Sequence, residues 1–212
     1  MRKILIFIFC MAWFPLCAQE MGAGLTILIN SKANTVDNGT AKVEEKSGFS
    51  TFGGSFHYFR DTAREYEASL FFGLTNEVNA AGNTTDQTFL GLGGGINFHI
   101  LRANPVQAGI GLKLRYQGYL EPVENPPPAA DYDNYSHAIF ALEAPLFVDV
   151  GLNDHFLFRF SAVAAGFIAD YLSYKASGVT RTEYEIDFYT ATTSDKDAIN
   201  WFPVNLGFIY KF

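Results

Sequence analysis

The sequence predicts an all-β fold: eight antiparallel strands, running up and down and closed into a barrel that crosses a membrane. Three observations predict it. Apolar residues recur at every second position in almost every apolar segment past residue 20, the period of a strand. Short and long connections alternate strictly along the chain. The two faces of the strands also have the polarity of a barrel in lipid, apolar outside and polar inside. The chain has 212 residues, 16% of them aromatic, and 19 glycines. Past the first 20 residues, however, no apolar run reaches the roughly 18 that a spanning helix needs.

The first stretch is expected to be a leader. Arg2 and Lys3 form a positive start, Ile4 to Trp13 an apolar run that Pro15 breaks, and Ala18 a small residue for cleavage. That is the layout of a secretory signal peptide over 1–18, leaving 19–212 as the barrel domain. Lipid attachment at Cys17 is the alternative, although Leu16 stands where a small residue is wanted. Removing Arg2 and Lys3 lowers the 15 basic residues to 13 against 22 acidic ones, so the mature charge is −9. Such an acidic exported chain is ill suited to nucleic acid. Both cysteines, Cys10 and Cys17, fall in the leader. The mature chain is therefore expected to have no disulfide, thiolate metal site or cysteine nucleophile.

The strands are expected at 21–30, 49–60, 65–75, 88–101, 105–119, 137–152, 156–172 and 199–212. The first turns Leu25, Ile27 and Ile29 to one side. The second is joined to the third by the short turn Asp61-Thr62-Ala63-Arg64, and the third alternates Tyr66, Ala68, Leu70, Phe72 and Leu74 against Glu67, Ser69 and Gly73. The fourth sets Leu90, Leu92, Ile96 and Phe98 against Gly91, Gly93, Gly95, Asn97 and His99. After Arg102-Ala103-Asn104-Pro105, the fifth sets Ile110, Leu112, Leu114 and Tyr116 against Lys113, Arg115 and Gln117. The sixth sets Phe140, Leu142, Leu146 and Val148 against Glu143 and Asp149. After Leu152-Asn153-Asp154-His155, the seventh follows the rule with Phe156, Phe158, Phe160, Ala162, Ala164 and Gly166 outward and Arg159 inward. The last carries Phe202, Val204, Leu206, Phe208, Tyr210 and Phe212. The even face of the third to sixth and the last strands holds no charge, as a lipid-facing surface requires, because Lys or Arg at mid-membrane costs about 2–4 kcal/mol.

Long polar connections lie near 31–48, 76–87, 120–136 and 173–198, on the side opposite the short turns. Tyr58, Tyr66, Tyr210 and Phe212 would girdle one rim, and Tyr116, Tyr171, Trp201 and Phe202 the other. Residues 182–190, Thr-Glu-Tyr-Glu-Ile-Asp-Phe-Tyr-Thr, also alternate. A ninth membrane strand would break the parity, so they are expected as a β-ribbon within the last long connection.

The chain ends Asn205-x-Gly207-x-x-Tyr210-x-Phe212: polar, any, glycine, two of any kind, hydrophobic, any, terminal aromatic. This resembles the C-terminal insertion signal of bacterial outer-membrane barrels. Together with the strands before it, the mature chain resembles the small outer-membrane β-barrel families of the OmpA-transmembrane and OmpX type. Residues 141–160, with Leu142-Glu143-x-Pro145 leading into a hairpin, resemble more particularly the PorT-like branch. The resemblance implies a bacterial outer-membrane location, both mature termini in the periplasm, membrane lipid as surroundings and the barrel assembly machinery as a partner during biogenesis. The PorT-like likeness implies a secretion or assembly accessory.

Eight strands enclose an interior that side chains fill, or that holds one small ligand. The inward charges are expected to form the filling as two ionic clusters, Lys113 and Arg115 with Glu143, and Asp149 with Arg159, since paired charges avoid the desolvation cost of isolated ones. His57, Glu67 and His99 point inward on neighbouring strands. They are expected as a hydrogen-bonded polar layer, although two imidazoles and a carboxylate could also hold zinc. Ser55, His57 and Glu67 have the residue types of a nucleophile, base and orienter, but in a lumen away from lipid substrates. Asp131 and Asp133 in a proline-stiffened tip lack the rest of a calcium loop. Tyr119, Tyr132, Tyr135, Tyr174, Tyr184, Phe188 and Tyr189 enrich the long connections and suit a protein or glycan ligand. The expected role is non-enzymatic and without cofactor, structural or surface-binding through four extracellular loops. A PorT-type accessory, a small-solute channel and a lipid-modifying enzyme are the alternatives.

Overall fold

The computed structural model describes residues 20–37, 42–78, 84–120, 130–176, 178–190 and 204–212. The expected leader, Asp133, Trp201 and Phe202 lie in part or whole outside these residues or their described side chains. Nine strands follow in order: β1 Glu20–Asp37, β2 Lys42–Phe59, β3 Arg64–Val78, β4 Thr84–Ala103, β5 Val106–Tyr119, β6 Ala130–Gly151, β7 Phe156–Ala176, β8 Val179–Thr190 and β9 Val204–Lys211. All pair antiparallel. β1 through β7 are neighbours in chain order, and β9 joins β7 to β1, which closes an eight-stranded wall. β9 fills the gap between β1 and β7 along the lower wall, from Gly22 to Ile29 on β1 and from Phe156 to Ala162 on β7, which removes there the open edge that templates aggregation.

The hairpins on the long-connection side outgrow the sequence-based bounds. β1 and β2 stay paired out to Asp37 opposite Lys42, and β6 and β7 out to Ala130 opposite Ala176. A bilayer crossing takes roughly 9–11 residues of strand, so these ladders continue well past that length. The polar composition of 31–48 marked solvent, and the backbone of 31–37 and 42–48 still pairs.

β8 resolves the parity puzzle of 182–190. It pairs with the upper half of β7, Val179 opposite Ala176 through Thr190 opposite Ala165. β9 then takes the lower half of the same β7 edge, from Val204 opposite Ala162 to Tyr210 opposite Phe156. The two strands share one edge, end to end and running the same way. Among the described residues β8 pairs with β7 alone.

One face assignment is corrected. Phe156 and Phe160 of β7 do point outward, but Gly166 is buried and Phe167 is 51% exposed. The cause is a bulge: Pro145 of β6 pairs with Val163 whereas Ala144 pairs with Ala165, so Ala164 is left over. Proline has no N–H to give a ladder and sits in sheets at bulges. A one-residue slip flips every side chain beyond it. Elsewhere the outward face is apolar, with Leu25, Phe52, Leu70, Phe72, Leu92, Leu114, Phe140 and Phe208 all exposed.

The interior is layered. At the short-turn end Phe59, Leu157 and Ile209 pack together. At the other end Phe71 and Phe89 meet edge-on, ring centroids 6.4 Å apart, with Tyr119 against them, beside Ile139, Ala141, Val163 and Ile168. Glycines make the room: a Cβ on Gly91 would collide with the Phe71 ring, and one on Gly73 with the Phe89 ring. Charged and polar side chains fill the space between these two apolar layers.

Candidate functional site

Register sets the middle layer. The odd positions of β2, β3 and β4 point inward, and pairing places His57 opposite Glu67 and Glu65 opposite Asn97. On the far wall Asp149 of β6 lies opposite Arg159 of β7. The strands therefore deliver carboxylates from one side and a guanidinium from the other to the same height.

Glu65 is the hub, and it is fully buried. Arg159 donates to it from Nη1 (2.7 Å to Oε1) and Nη2 (2.6 Å to Oε2), a two-pronged match of planar groups. The same guanidinium donates to Asp149 from Nε and Nη2, each at 2.6 Å, and lies over the Phe147 ring, 4.7 Å from its centroid. His57 Nδ1 stands 2.6 Å from Glu65 Oε1, and His99 Nε2 3.1 Å from Oε2. The Asn97 amide nitrogen bridges Glu65 at 3.2 Å and Glu67 at 3.1 Å. Lys113 Nζ reaches Glu67 at 2.6 Å. Further up, Arg115 donates to Glu143 at 3.0 and 2.6 Å. Between the Glu67–Lys113 and Arg115–Glu143 pairs lies a cavity of about 70 Å³, lined also by Thr51, Ser69 and Asn205. That is the scale of a few waters, at about 10–15 Å³ each.

The expected residues are distributed as follows. Asp149 and Arg159 contact each other, as do Arg115 and Glu143. Lys113 lies opposite Glu143 in the β5–β6 register, and its amine reaches Glu67. Glu65 is what the sequence reading missed. It opens the third expected strand and has the parity of Glu67, so extending the alternation by one step would have found it. The metal-compatible groupings are His57–Glu65–Glu67 and Glu65–His99–Asp149, each with ligand atoms within 4.8 Å of one another. The trio His57, Glu67 and His99 is not among these groupings. Glu65 belongs to both sets, and Arg159 already spans it and Asp149. A divalent cation there would meet a guanidinium at close range.

Ser55, His57 and a glutamate do form a hydrogen-bonded line. Ser55 Oγ is 2.7 Å from His57 Nε2, and the third member is Glu65 in place of Glu67. With the proton on Nδ1, His57 donates to Glu65 and accepts from Ser55. Catalysis needs more than this line. Ser55 is buried and faces the backbone of Gly24, where even a Cβ would stand 2.7 Å from its Oγ. On that side the backbone closes over the hydroxyl, where a substrate carbonyl would have to approach.

No protein-family model matches the chain, and no curated protein is similar to it. Solved structures are. The outer membrane protein OprG from Pseudomonas aeruginosa superposes with a TM-score of 0.58 at 15% identity, covering 92% of this chain and 96% of that one. The outer membrane protein AlkL, determined in lipid bilayers, gives 0.48 at 12% identity over 91% and 90%. The outer membrane protease OmpT from Escherichia coli gives 0.38 at 8% identity over 92% and 95%. The fold is that of a small outer-membrane β-barrel: closed, eight strands around, antiparallel throughout.

Proposed function

We propose that this chain is a non-enzymatic barrel of the bacterial outer membrane, stoppered by its own side chains, with a structural or surface-binding role carried by the long hairpins. The observation that carries the reading is the order of layers in the lumen. An apolar layer of Phe59, Leu157 and Ile209 lies at one end, the Glu65–Arg159 network in the middle, and Phe71 and Phe89 at the other end. An ion on this path would shed water against apolar rings at both ends, a cost that nothing there offsets. Reconstitution in planar bilayers tests the reading. The expected trace is flat; stable conductance steps would replace the stopper with a small-solute channel.

Several features support a membrane location. The outer wall presents large apolar side chains nearly all round, with Leu114 at 65% and Leu70 at 53% exposure, while charges gather inside, the reverse of a barrel in water. Both ends of the described wall, Glu20 and Phe212, lie on the short-turn side, tied by Phe212 N–H donating to the Met21 carbonyl at 2.8 Å, which suits periplasmic termini. Asn205, Gly207, Tyr210 and Phe212 are proposed as the signal read by the assembly machinery. Replacing Phe212 by Ser should then slow insertion by that machinery while leaving unassisted folding into thin vesicles intact. The hairpin tips are proposed to meet an extracellular protein or glycan. Crosslinked pull-down from the envelope separates that role from the secretion accessory that residues 141–160 suggest.

A further inference from the structure

The outer wall carries a large concavity. It spans β4 to β8, has a volume of about 600 Å³, and is lined by Leu114, Tyr116, Phe140, Leu142, Phe167 and Ile186, with almost nothing polar. Its size falls in the range of ligand sites, about 300–1,000 Å³. Pairing explains why a convex wall is hollow here. Ala169 lies between Phe140 on one neighbour and Ile186 on the other. One strand further round, Gly94 lies beside Leu114. Small residues in a row of large ones leave a trough between ridges.

We propose that this groove holds the acyl chain of a bilayer lipid, bound as a specific ligand and not as passing solvent. The proposal rests on the outer-membrane reading, which makes lipid the medium in contact with this face. The groove is continuous with the apolar band on either side, Leu70 and Leu90 before it and Phe188 after it. No charged side chain projects from its outward-facing rows. Tyr116, Tyr171 and Tyr184 stand at the end nearer the long hairpins, exposed by 39%, 38% and 80%, the position of rings that face headgroups. The occupant also has a structural consequence. Among the described residues β8 is held to the wall by the β7 ladder alone, and its Phe188 packs on Phe167 with ring centroids 4.9 Å apart. A chain lying between Phe140 and Ile186 ties β8 to β6 across the top of β7.

Native mass spectrometry of the folded barrel, released from mild detergent after titration with palmitoyl-oleoyl phosphatidylethanolamine, tests this. The expected result is one lipid retained at a collision energy that strips the others. Ala169→Phe, which fills the trough from an outward-facing position, should cut the retained fraction by about tenfold. Ala23→Phe, outward on the far wall at β1, should leave it unchanged. Equal retention by wild type and Ala169→Phe, or no retained lipid in wild type, overturns the proposal, as does a second protein copy in place of lipid. The location reading fails separately: a barrel that stays in water when offered vesicles of the same lipid, without a heat-dependent shift in gel mobility, refutes the membrane and the groove together.

Discussion

Arg159→Met removes the guanidinium that touches both fully buried carboxylates, Glu65 and Asp149. Methionine keeps much of the aliphatic bulk, so the change is chiefly in charge and hydrogen bonds. Four donated bonds disappear, two to Glu65 and two to Asp149, all between 2.6 and 2.7 Å. Glu65 and Asp149 are each 0% exposed, so water cannot replace what is lost. Breaking a buried pair by removing one partner costs about 3–5 kcal/mol. Because two carboxylates lose the same partner, the upper part of that range is expected. The assay is denaturant unfolding from lipid vesicles, read as the fraction that keeps the folded gel mobility.

The companion variant decides whether the mechanism is right. In Glu65→Gln/Asp149→Asn/Arg159→Met the charges are gone together and no buried carboxylate is stranded. Replacing a whole buried ionic group by well-packed hydrophobic residues of similar volume is often neutral or stabilising. The amides here keep the carboxylates' shape while shedding their charge, at the smaller cost of buried neutral polar groups. The triple variant should therefore recover at least half of the loss seen in Arg159→Met, a strongly non-additive result. A loss below about 1 kcal/mol for Arg159→Met, or costs that simply add, would refute the view of Glu65, Arg159 and Asp149 as one interdependent unit.

Three other outcomes follow from the same geometry. Glu143→Gln, which takes away the carboxylate that Arg115 contacts at 2.6 Å, should lower resistance to unfolding by about 1–3 kcal/mol while conductance in planar bilayers stays near zero. Phe71→Ala/Phe89→Ala removes the upper apolar layer; each truncation should cost about 3–5 kcal/mol, and the double variant should admit ions more readily than wild type. In the β2–β3 turn, the Arg64 side chain and the N–H groups of Ala63 and Arg64 hold the Asp61 carboxyl below the usual carboxylate range. That contribution is present above the unfolded value near 3.9 and is lost as pH falls through the lower folded value. An NMR titration midpoint for Asp61 at or above about 3.9 would contradict it, and Asp61→Ala should abolish the acid-dependent part of the turn's protection from exchange.

Most of the wall was legible because a barrel in lipid imposes period two with no tolerance for charge on one face. β3, β4 and β5 alternate as the even and odd residues promised, and the short turns fell where Asp61 and Asn153 cap the next strand. What was illegible has physical causes. The slip at Ala164 comes from Pro145 on a different strand, so β7 read alone gives no warning that Gly166 turns inward. The end-to-end sharing of one β7 edge by β8 and β9 depends on register between segments far apart in sequence. Lys113 does face Glu143 on the adjoining strand, but its amine also reaches past β4 to Glu67 on β3. Such reach belongs to a long side chain in a narrow tube and leaves no local pattern.

Among the described residues the lumen contains the groups a site would need: the imidazoles of His57 and His99, buried serines, four carboxylates and three cations. Their partners argue for a stopper. Glu65 alone receives His57, His99, Asn97 and both prongs of Arg159, which leaves its oxygens no capacity for an incoming ligand. Ser55 is spent on His57, and Glu67 on Lys113 and Asn97. A binding site keeps some of its polar groups unsatisfied until the ligand comes, because a ligand that must first break internal bonds gains little. Most of these reactive groups satisfy one another, while His99 Nδ1, Asn97 Oδ1 and Asn205 Oδ1 are buried without a hydrogen-bond partner among the described residues, and a vacancy of about 600 Å³ lies on the apolar outside. On the proposed reading, what this barrel recognises meets its outer wall and hairpins, and the lumen adds stiffness to both.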